Sequence, residues 1–471
     1  MNSLSLDKTK KFGVVNSPHI RMIRNHFSSE NKVAKHMRRK GYFVPDRLYA
    51  ITPAGRFDLG LFFYIYKYMT EVLDLNNIQL DPELLLKVNP ITSINGIDYL
   101  NYEPRDYQKE MCEKAFKFGR GIFEVATGGG KTYVMAVLCH NLLKNNFAKK
   151  ILVLEPDLGL VEQVYDEFLK CGVQNFIQKY TGENDFDGCA EIVIANIGIL
   201  NSRGEEKITD CDAILIDEAH KYKRGNKINK TLDKLDASIR FGFTGTLPDE
   251  KENVLCIEGK IGPVIYKKTS SDLKEYLTQA FCNIIELNYK NQPDWLDSGD
   301  LKRYKQEYDF IINHSDRNNI ISKLACNLKN NTLILIDRIQ HGLELQKILE
   351  KTCDEKKVFF IRGELEVDVR NEIRHLMENK NNVICVAISS IFATGVDIKN
   401  LHNIILANAG KAKIRLLQSI GRGLRLHPSK EKLMLIDLAD HLYYGVKHLE
   451  KRMEIYQREN ITIKHNHYQV L

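Results

Sequence analysis

GIFEVATGGGKTYVMAVLCHNLL, residues 121–143, joins a short β-rich apolar run to an apolar helical pattern through three glycines and a Lys-Thr pair. Glycines let the backbone curl so that successive N–H groups point inward, and the following helix adds the positive end of its dipole. Thr127, Gly128, Gly129, Gly130, Lys131 and Thr132 therefore form a candidate phosphate cradle. In it the lysine reaches the β- and γ-phosphates of ATP and the Thr132 hydroxyl can ligate Mg2+. The strict pattern has a Gly where this chain has Val125, so the match is to a variant. A glycine-rich turn without a ligand is the alternative.

Further apolar runs flank this unit. ILVLE (151–155), EIVIA (191–195), AILID (213–217) and RFGF (240–243) are continuous rather than alternating, as strands buried on both faces are. Leu158, Val161, Tyr165, Phe168 and Leu169 recur at helical spacing between two of them. Strand and helix alternating in this way predict a parallel, doubly wound sheet. After a polar stretch (289–300) that reads as a linker, a second series follows: TLILI (332–336), KVFFI (357–361), VICVA (383–387), NIILA (403–407) and LMLID (433–437). The first 98 residues fit neither series and are assigned to a separate small domain. The aromatics Phe62, Phe63, Tyr64, Tyr66 and Tyr68 within it either stack on bases or pack a core.

Asp217 and Glu218 open the sequence DEAH at the end of AILID. A carboxylate at the C-terminal end of a strand beside a phosphate loop stands where Mg2+ must be held, and an adjacent Glu can polarise the attacking water. In the second series Arg422 and Arg425 lie about one helical turn apart and can face the same way. Arginines supplied from a second unit stabilise the transition state at a γ-phosphate when the cleft closes, which couples hydrolysis to motion. The alternative for them is a basic surface helix.

The motif order over residues 104–437 resembles that of the superfamily 2 helicases. Pro104 to Gln108 resembles the motif upstream of the phosphate loop. On that resemblance Arg105 and Gln108 bind the nucleotide, Gln108 at the adenine edge. Thr244-Gly245-Thr246 matches the segment linking ATP state to domain closure, with His220 and Gln418 as partners in that coupling. Thr394 to Asp397 resembles the motif that touches nucleic acid and, through Asp397, the ribose. Pro156 matches a DNA-contacting motif, and Ser389 and Ser390 either donate to a DNA phosphate or cap a strand end. The motif around Gln418 begins with Gln rather than the HRxGRxxR of DEAD-box RNA helicases.

Residues 392–430, RFGFTGTL (240–247) and the small basic N-terminal domain together resemble the bacteriophage UvsW-type branch-migration helicases. Asp157 and Asn196 stand where relatives often place Thr or Ser for phosphate contact. The resemblance implies an α/β chain of two tandem RecA-like parallel-sheet domains preceded by a small basic α+β domain. Expected boundaries are 1–98 for the DNA-binding domain, 99–290 for the ATP-site domain and 291–471 for the arginine-finger domain. It also implies ATP and Mg2+ as cofactors, and branched or forked DNA (forks, Holliday junctions) as partner. A monomer in the bacterial host cytoplasm is expected, acting in replication, recombination or repair. An RNA-remodelling superfamily 2 ATPase and an ATP-gated DNA-binding module are the rivals. The complete hydrolytic set weighs against the second.

The remaining composition bounds these readings. At 471 residues, with 43% hydrophobic and 27% charged residues, the chain has the length and balance of several globular domains. No run suits a membrane span, and the N-terminus lacks a signal-peptide core, so an intracellular protein is expected. The ten cysteines show no CxxC pair and no Cys/His cluster at metal-ligand spacing, and reduced thiols are expected. Of the net charge of +7, residues 1–50 carry more than the whole, with eleven Lys/Arg against Asp7, Glu30 and Asp46. A basic end suits a polyanion partner, or is a solvated basic face.

Overall fold

The computed structural model describes residues 2–91, 93–181, 188–203, 210–273, 275–276, 278–290, 303–362, 373, 375–389, 398–407, 424 and 427–470. It divides into two compact units, residues 1–125 with 130–267, and residues 268–471 with the short segment 126–129.

The first unit is built on a seven-stranded sheet in the order Val264–Lys268, Arg120–Val125, Ile239–Thr244, Ala213–Ile216, Ile151–Glu155, Ile192–Asn196, Ile177–Tyr180. From Arg120–Val125 onward the pairs are parallel. Strands covered on both faces need apolar side chains at every position, and Ile151–Glu155 and Ile192–Asn196 are buried along their whole length. Helix Lys131–Lys144, whose apolar residues run almost all round, lies inside. Helix Leu158–Cys171 covers the sheet with one apolar stripe and ends on Gly172 in the left-handed conformation.

Residues near the N-terminus form a second, four-stranded sheet in the order Arg56–Asp58, Phe12–Asn16, Asn2–Leu6, Ile78–Leu80, with its own core of Leu4, Val15, Phe57, Ile65 and Met69 among others. This small domain is docked on the larger sheet through helix Lys251–Lys260. Leu255 packs into the small core, Tyr64 donates to Glu258 at 2.8 Å, and Lys260 pairs with Asp58 at 2.7 Å. Gly60 is required at this seam, because a Cβ there would come within 2.0 Å of the Glu258 carbonyl oxygen. The aromatic segment therefore serves as core and seam. Phe62 is buried, Phe63, Tyr64 and Tyr68 pack against the core, and Tyr66 stacks on Phe62.

The second unit carries an all-parallel seven-stranded sheet in the order Lys357–Ile361, Val383–Ile388, Thr332–Ile336, Asn403–Leu406, Lys432–Asp440, Gln279–Tyr289, Thr462–Val470. Two of these strands correct the sequence reading. Gln279–Tyr289 belongs to this sheet, so the division between the motor halves falls near residue 268 rather than 290. Thr462–Val470 was not foreseen as a strand. The expected linker 289–300 lies, beyond Lys290, outside the described residues. Buried ion pairs fix this unit: Arg317 donates to both carboxylate oxygens of Asp440 at 2.7 and 3.0 Å, and Arg452 to both of Asp437 at 2.8 Å. Cys326 and Cys353, expected as thiols, are joined in a disulfide. Among the described residues no helix is long and apolar enough to cross a membrane.

Candidate functional site: a nucleotide-binding strand edge

Parallel strands in one sheet deliver their C-terminal ends to one edge, where ligands collect. Strands Arg120–Val125, Ile239–Thr244, Ala213–Ile216 and Ile151–Glu155 end side by side in this way. Past Val125 the chain turns through Gly128 at φ 85° and Gly130 at φ 71°, left-handed values that glycine adopts without strain. The Gly129 N–H donates to the Ala126 carbonyl at 3.0 Å, closing the turn. Helix Lys131–Lys144 begins directly afterwards, with Thr132 in its first turn and half-buried like Thr127. Lys131 donates from Nζ to the Val125 carbonyl at 3.1 Å, which folds its ammonium back over the loop.

Gln108 is brought to this loop from helix Asp106–Phe118. It is buried, its Oε1 accepts from the Arg105 N–H at 3.0 Å, and its Nε2 lies 2.3 Å from where a Gly130 Cβ would stand. The left-handed φ of 71° at position 130 favours glycine there. Arg105 donates from Nη1 to the Tyr107 hydroxyl at 2.8 Å.

Asp217 and Glu218 follow Ile216. The Glu218 N–H donates to Asp217 Oδ1 at 2.8 Å, and Glu218 itself sits at φ 48°, a left-handed position uncommon for a glutamate. This turns its side chain toward His220, whose Nδ1 is 3.2 Å from Glu218 Oε2. The same nitrogen lies 3.0 Å from the Thr244 hydroxyl, which in turn donates to the Thr246 carbonyl at 3.0 Å. A continuous polar chain thus runs from the acidic strand end to the next strand. Burial and the adjacent Glu218 carboxyl push Asp217 up to about 6. The carboxyl oxygens of Asp217 and Glu218, with a threonine hydroxyl in the first turn after the loop, offer the oxygen donors that suit Mg2+. Asp217 and Thr132 are the side chains that would hold it.

Glu155 is the member of this edge that sequence reasoning missed. It ends the neighbouring strand, is fully buried, and has no hydrogen-bond partner for either carboxylate oxygen. Burial, then the charges of Asp217 and Glu218, hold its pKa well above the ordinary glutamate range. Because the folded value lies above the unfolded one, ionisation costs no stability below the unfolded value of 4.5 and an increasing amount as pH rises through and beyond it. Glu155→Gln is therefore expected to leave the melting midpoint of the nucleotide-free and metal-free protein nearly unchanged in acid and to raise it by several degrees in alkali. Thermal scans across the pH range check this. No gain in alkali would mean that Glu155 is ionised at no cost.

Other sequence candidates divide. Pro156 is partly exposed at the same edge, and Asp157 beside it pairs with Lys221 at 2.7 Å. Asn196 accepts from the N–H groups of Gly198 and Ile199 at 3.0 and 3.3 Å, capping a helix. Ser389 is buried and donates to the Ile336 carbonyl at 2.9 Å. Ser390, Thr394, Asp397, Gln418, Arg422 and Arg425 lie outside the described residues.

A surface the sequence reading passed over stands on the N-terminal domain. From the end of helix Ala34–Arg39 toward strand Arg47–Tyr49 the chain presents Arg39, Lys40, Tyr42 and Phe43 to solvent, and Phe43 is 98% exposed. The available signal was RRKGYF (38–43), aromatics directly after three cations and a glycine.

Residues 101–249 match the family described as "Type III restriction enzyme, res subunit", and residues 316–427 match "Helicase conserved C-terminal domain". The chain is 30% identical over 388 residues to the ATP-dependent DNA helicase UvsW of Enterobacteria phage T4, covering 76% of each. In fold it is similar to the DNA-bound Type ISP restriction-modification enzyme LlaBIII, with a TM-score of 0.59 at 14% identity over 83% of this chain and 33% of that one. It is also similar to S. cerevisiae Dbp5 bound to RNA and ADP BeF3, with a TM-score of 0.54 at 13% identity over 78% and 90%. With the phosphate loop and DEAH strand end on one sheet edge and this relative matched over most of its length, the chain belongs to the superfamily 2 helicases, ATP-hydrolysing enzymes, and resembles the phage UvsW type.

Proposed function

We propose that the chain uses ATP with Mg2+ to remodel branched DNA, migrating or unwinding forks and Holliday junctions. Bound Mg2+ would neutralise phosphate charge at the strand edge. Around it the protein's own groups have distinct tasks: Lys131 and the loop N–H groups bind phosphate, Glu218 orients and deprotonates water, and Arg105 and Gln108 bind the nucleotide. The chain from Glu218 through His220 to Thr244 and Thr246 senses the γ-phosphate. Arg422 and Arg425 stabilise the transition state, Gln418 and Asp397 complete the nucleotide contacts of the second half, and Pro156, Ser390 and Thr394 follow the tracked strand.

The observation that carries branch recognition is the exposed tip at residues 38–43. Cations supply phosphate contacts that carry no sequence information, and an exposed aromatic stacks on a base only where pairing is interrupted, as at a branch point. Dbp5, similar in fold, is bound to RNA in its structure, and the motif around Gln418 departs from the HRxGRxxR of DEAD-box RNA helicases, which argues against that group.

ATP hydrolysis measured side by side with single strand, linear duplex, fork, four-way junction and RNA tests this. The junction is expected to stimulate most. A Tyr42→Ala/Phe43→Ala variant should lose about tenfold of the junction's advantage over linear duplex, in line with about 1–3 kcal/mol per stacked base, while its hydrolysis without DNA is unchanged. Point variants are preferable to deletion of residues 1–98, which would uncover Leu255 and Glu258 at the seam. Equal stimulation by RNA, or undiminished junction preference in the variant, would overturn the reading.

A further inference from the structure

In the second unit, three histidines gather round one carboxylate. Glu286 lies in strand Gln279–Tyr289, between Lys432–Asp440 and Thr462–Val470, and its register partner in the latter is His467. Residues two apart on a strand share a face, so His465 stands beside His467. Glu286 Oε2 is 2.9 Å from His465 Nε2 and 3.6 Å from His467 Nδ1, and one ligand atom from each of the three residues lies within 4.8 Å of the others. A tetrahedral ion with bonds of about 2.0–2.1 Å sets its ligand atoms roughly 3.3 Å apart, so these two distances bracket what a single ion would impose. The other carboxylate oxygen is engaged by His441 Nδ1, and the His441 backbone N–H is fixed on the Leu287 carbonyl at 2.9 Å. An outer hydrogen bond of that kind orients a metal-ligating carboxylate. Both ligating imidazoles are exposed, which leaves a path for an ion and room for water as fourth ligand.

We propose that Glu286, His465 and His467 bind a first-row divalent metal ion, Zn2+ by the chemistry of the donors, with His441 as the positioning residue. Two imidazoles and a carboxylate suit zinc, whereas Mg2+ takes oxygen ligands, so the ion used with ATP does not compete here. The ion joins the edge strand Thr462–Val470 to its single neighbour by bonds from both. Glu286 and His465 are 179 residues apart in sequence, which is why a search for local ligand spacing does not find them.

The full chain, stripped of metal with a chelator and titrated with Co2+, tests the site independently of the helicase assignment. One equivalent is expected to bind with the intense d–d bands of a four-coordinate ion and to be displaced by Zn2+. His465→Gln and His467→Gln should each weaken Co2+ binding about 100-fold. The isosteric Glu286→Gln, and His441→Gln, should weaken it about tenfold, with Mg2+-dependent ATP hydrolysis unchanged throughout. Zn2+ should raise the melting midpoint of the parent protein and leave that of a His465→Gln/His467→Gln variant unmoved. Weak octahedral bands, a sulfur-to-cobalt charge-transfer band, or affinity that survives in the double variant would overturn the proposal. Circular dichroism confirms that each variant compared is folded, and the Glu286→Gln result stands if a histidine variant is not.

Discussion

Lys131→Ala is expected to lower ATP hydrolysis by on the order of 10³ or more while DNA affinity stays within a fewfold of normal. The loop that precedes Lys131 is already shaped, with left-handed Gly128 and Gly130 and the Gly129 N–H fixed on Ala126. Removing the ammonium therefore removes charge and leaves the cradle's geometry intact. Charge placed where negative charge builds up in a transition state acts most strongly when it is preorganised, and the bond from Nζ to the Val125 carbonyl keeps the ammonium beside the loop. Steady-state hydrolysis at saturating single strand, with fluorescence anisotropy for DNA binding, checks both halves. Turnover near the parent rate would exclude this loop as the phosphate site.

Glu218→Gln should reduce hydrolysis at saturating ATP by on the order of 10³ with nucleotide affinity nearly unchanged. Glutamine keeps the length of the side chain and its approach to His220, so the contact at 3.2 Å can persist in altered form, but an amide cannot accept the proton of an attacking water. The left-handed backbone at Glu218 is fixed by the neighbouring Asp217 oxygen and not by the lost charge. Single-turnover hydrolysis separates this outcome from slow product release. A loss of affinity at preserved maximal rate would make Glu218 a binding residue, and the catalytic base would then have to be sought elsewhere on the same edge.

Much of this was legible in local sequence. Ile151–Glu155 and Thr332–Ile336 stand where the apolar runs place them, because a strand covered on both faces is apolar along most of its length. The phosphate loop and DEAH were readable because their geometry comes from adjacent residues. Gln279–Tyr289 and Thr462–Val470 escaped notice for the opposite reason. The former is fully buried only at intervals, and the latter is a mostly exposed polar edge strand whose pairing depends on a neighbour distant in sequence. Glu155 escaped because a glutamate at a strand end ordinarily reaches water, and this one is buried at the end of a central strand between Ala213–Ile216 and Ile192–Asn196. The motor boundary was misplaced because a polar stretch resembles a linker whether it joins two domains or leads out of a strand.

The position of Gln279–Tyr289 inside the second sheet has a bearing on how the chain is made. This segment leaves the ribosome before the rest of its sheet, yet both of its neighbours come far later: Tyr289 bonds to Asp440 across 151 residues and Asn283 to Asn466 across 183. Until then its N–H and C=O groups are unpaired on both sides, the state in which strands join to the wrong partner. Closure over such separations is slow. The second half is therefore the slow and aggregation-exposed part of synthesis, and the first, whose sheet is complete by Lys268, can fold while it is still being translated.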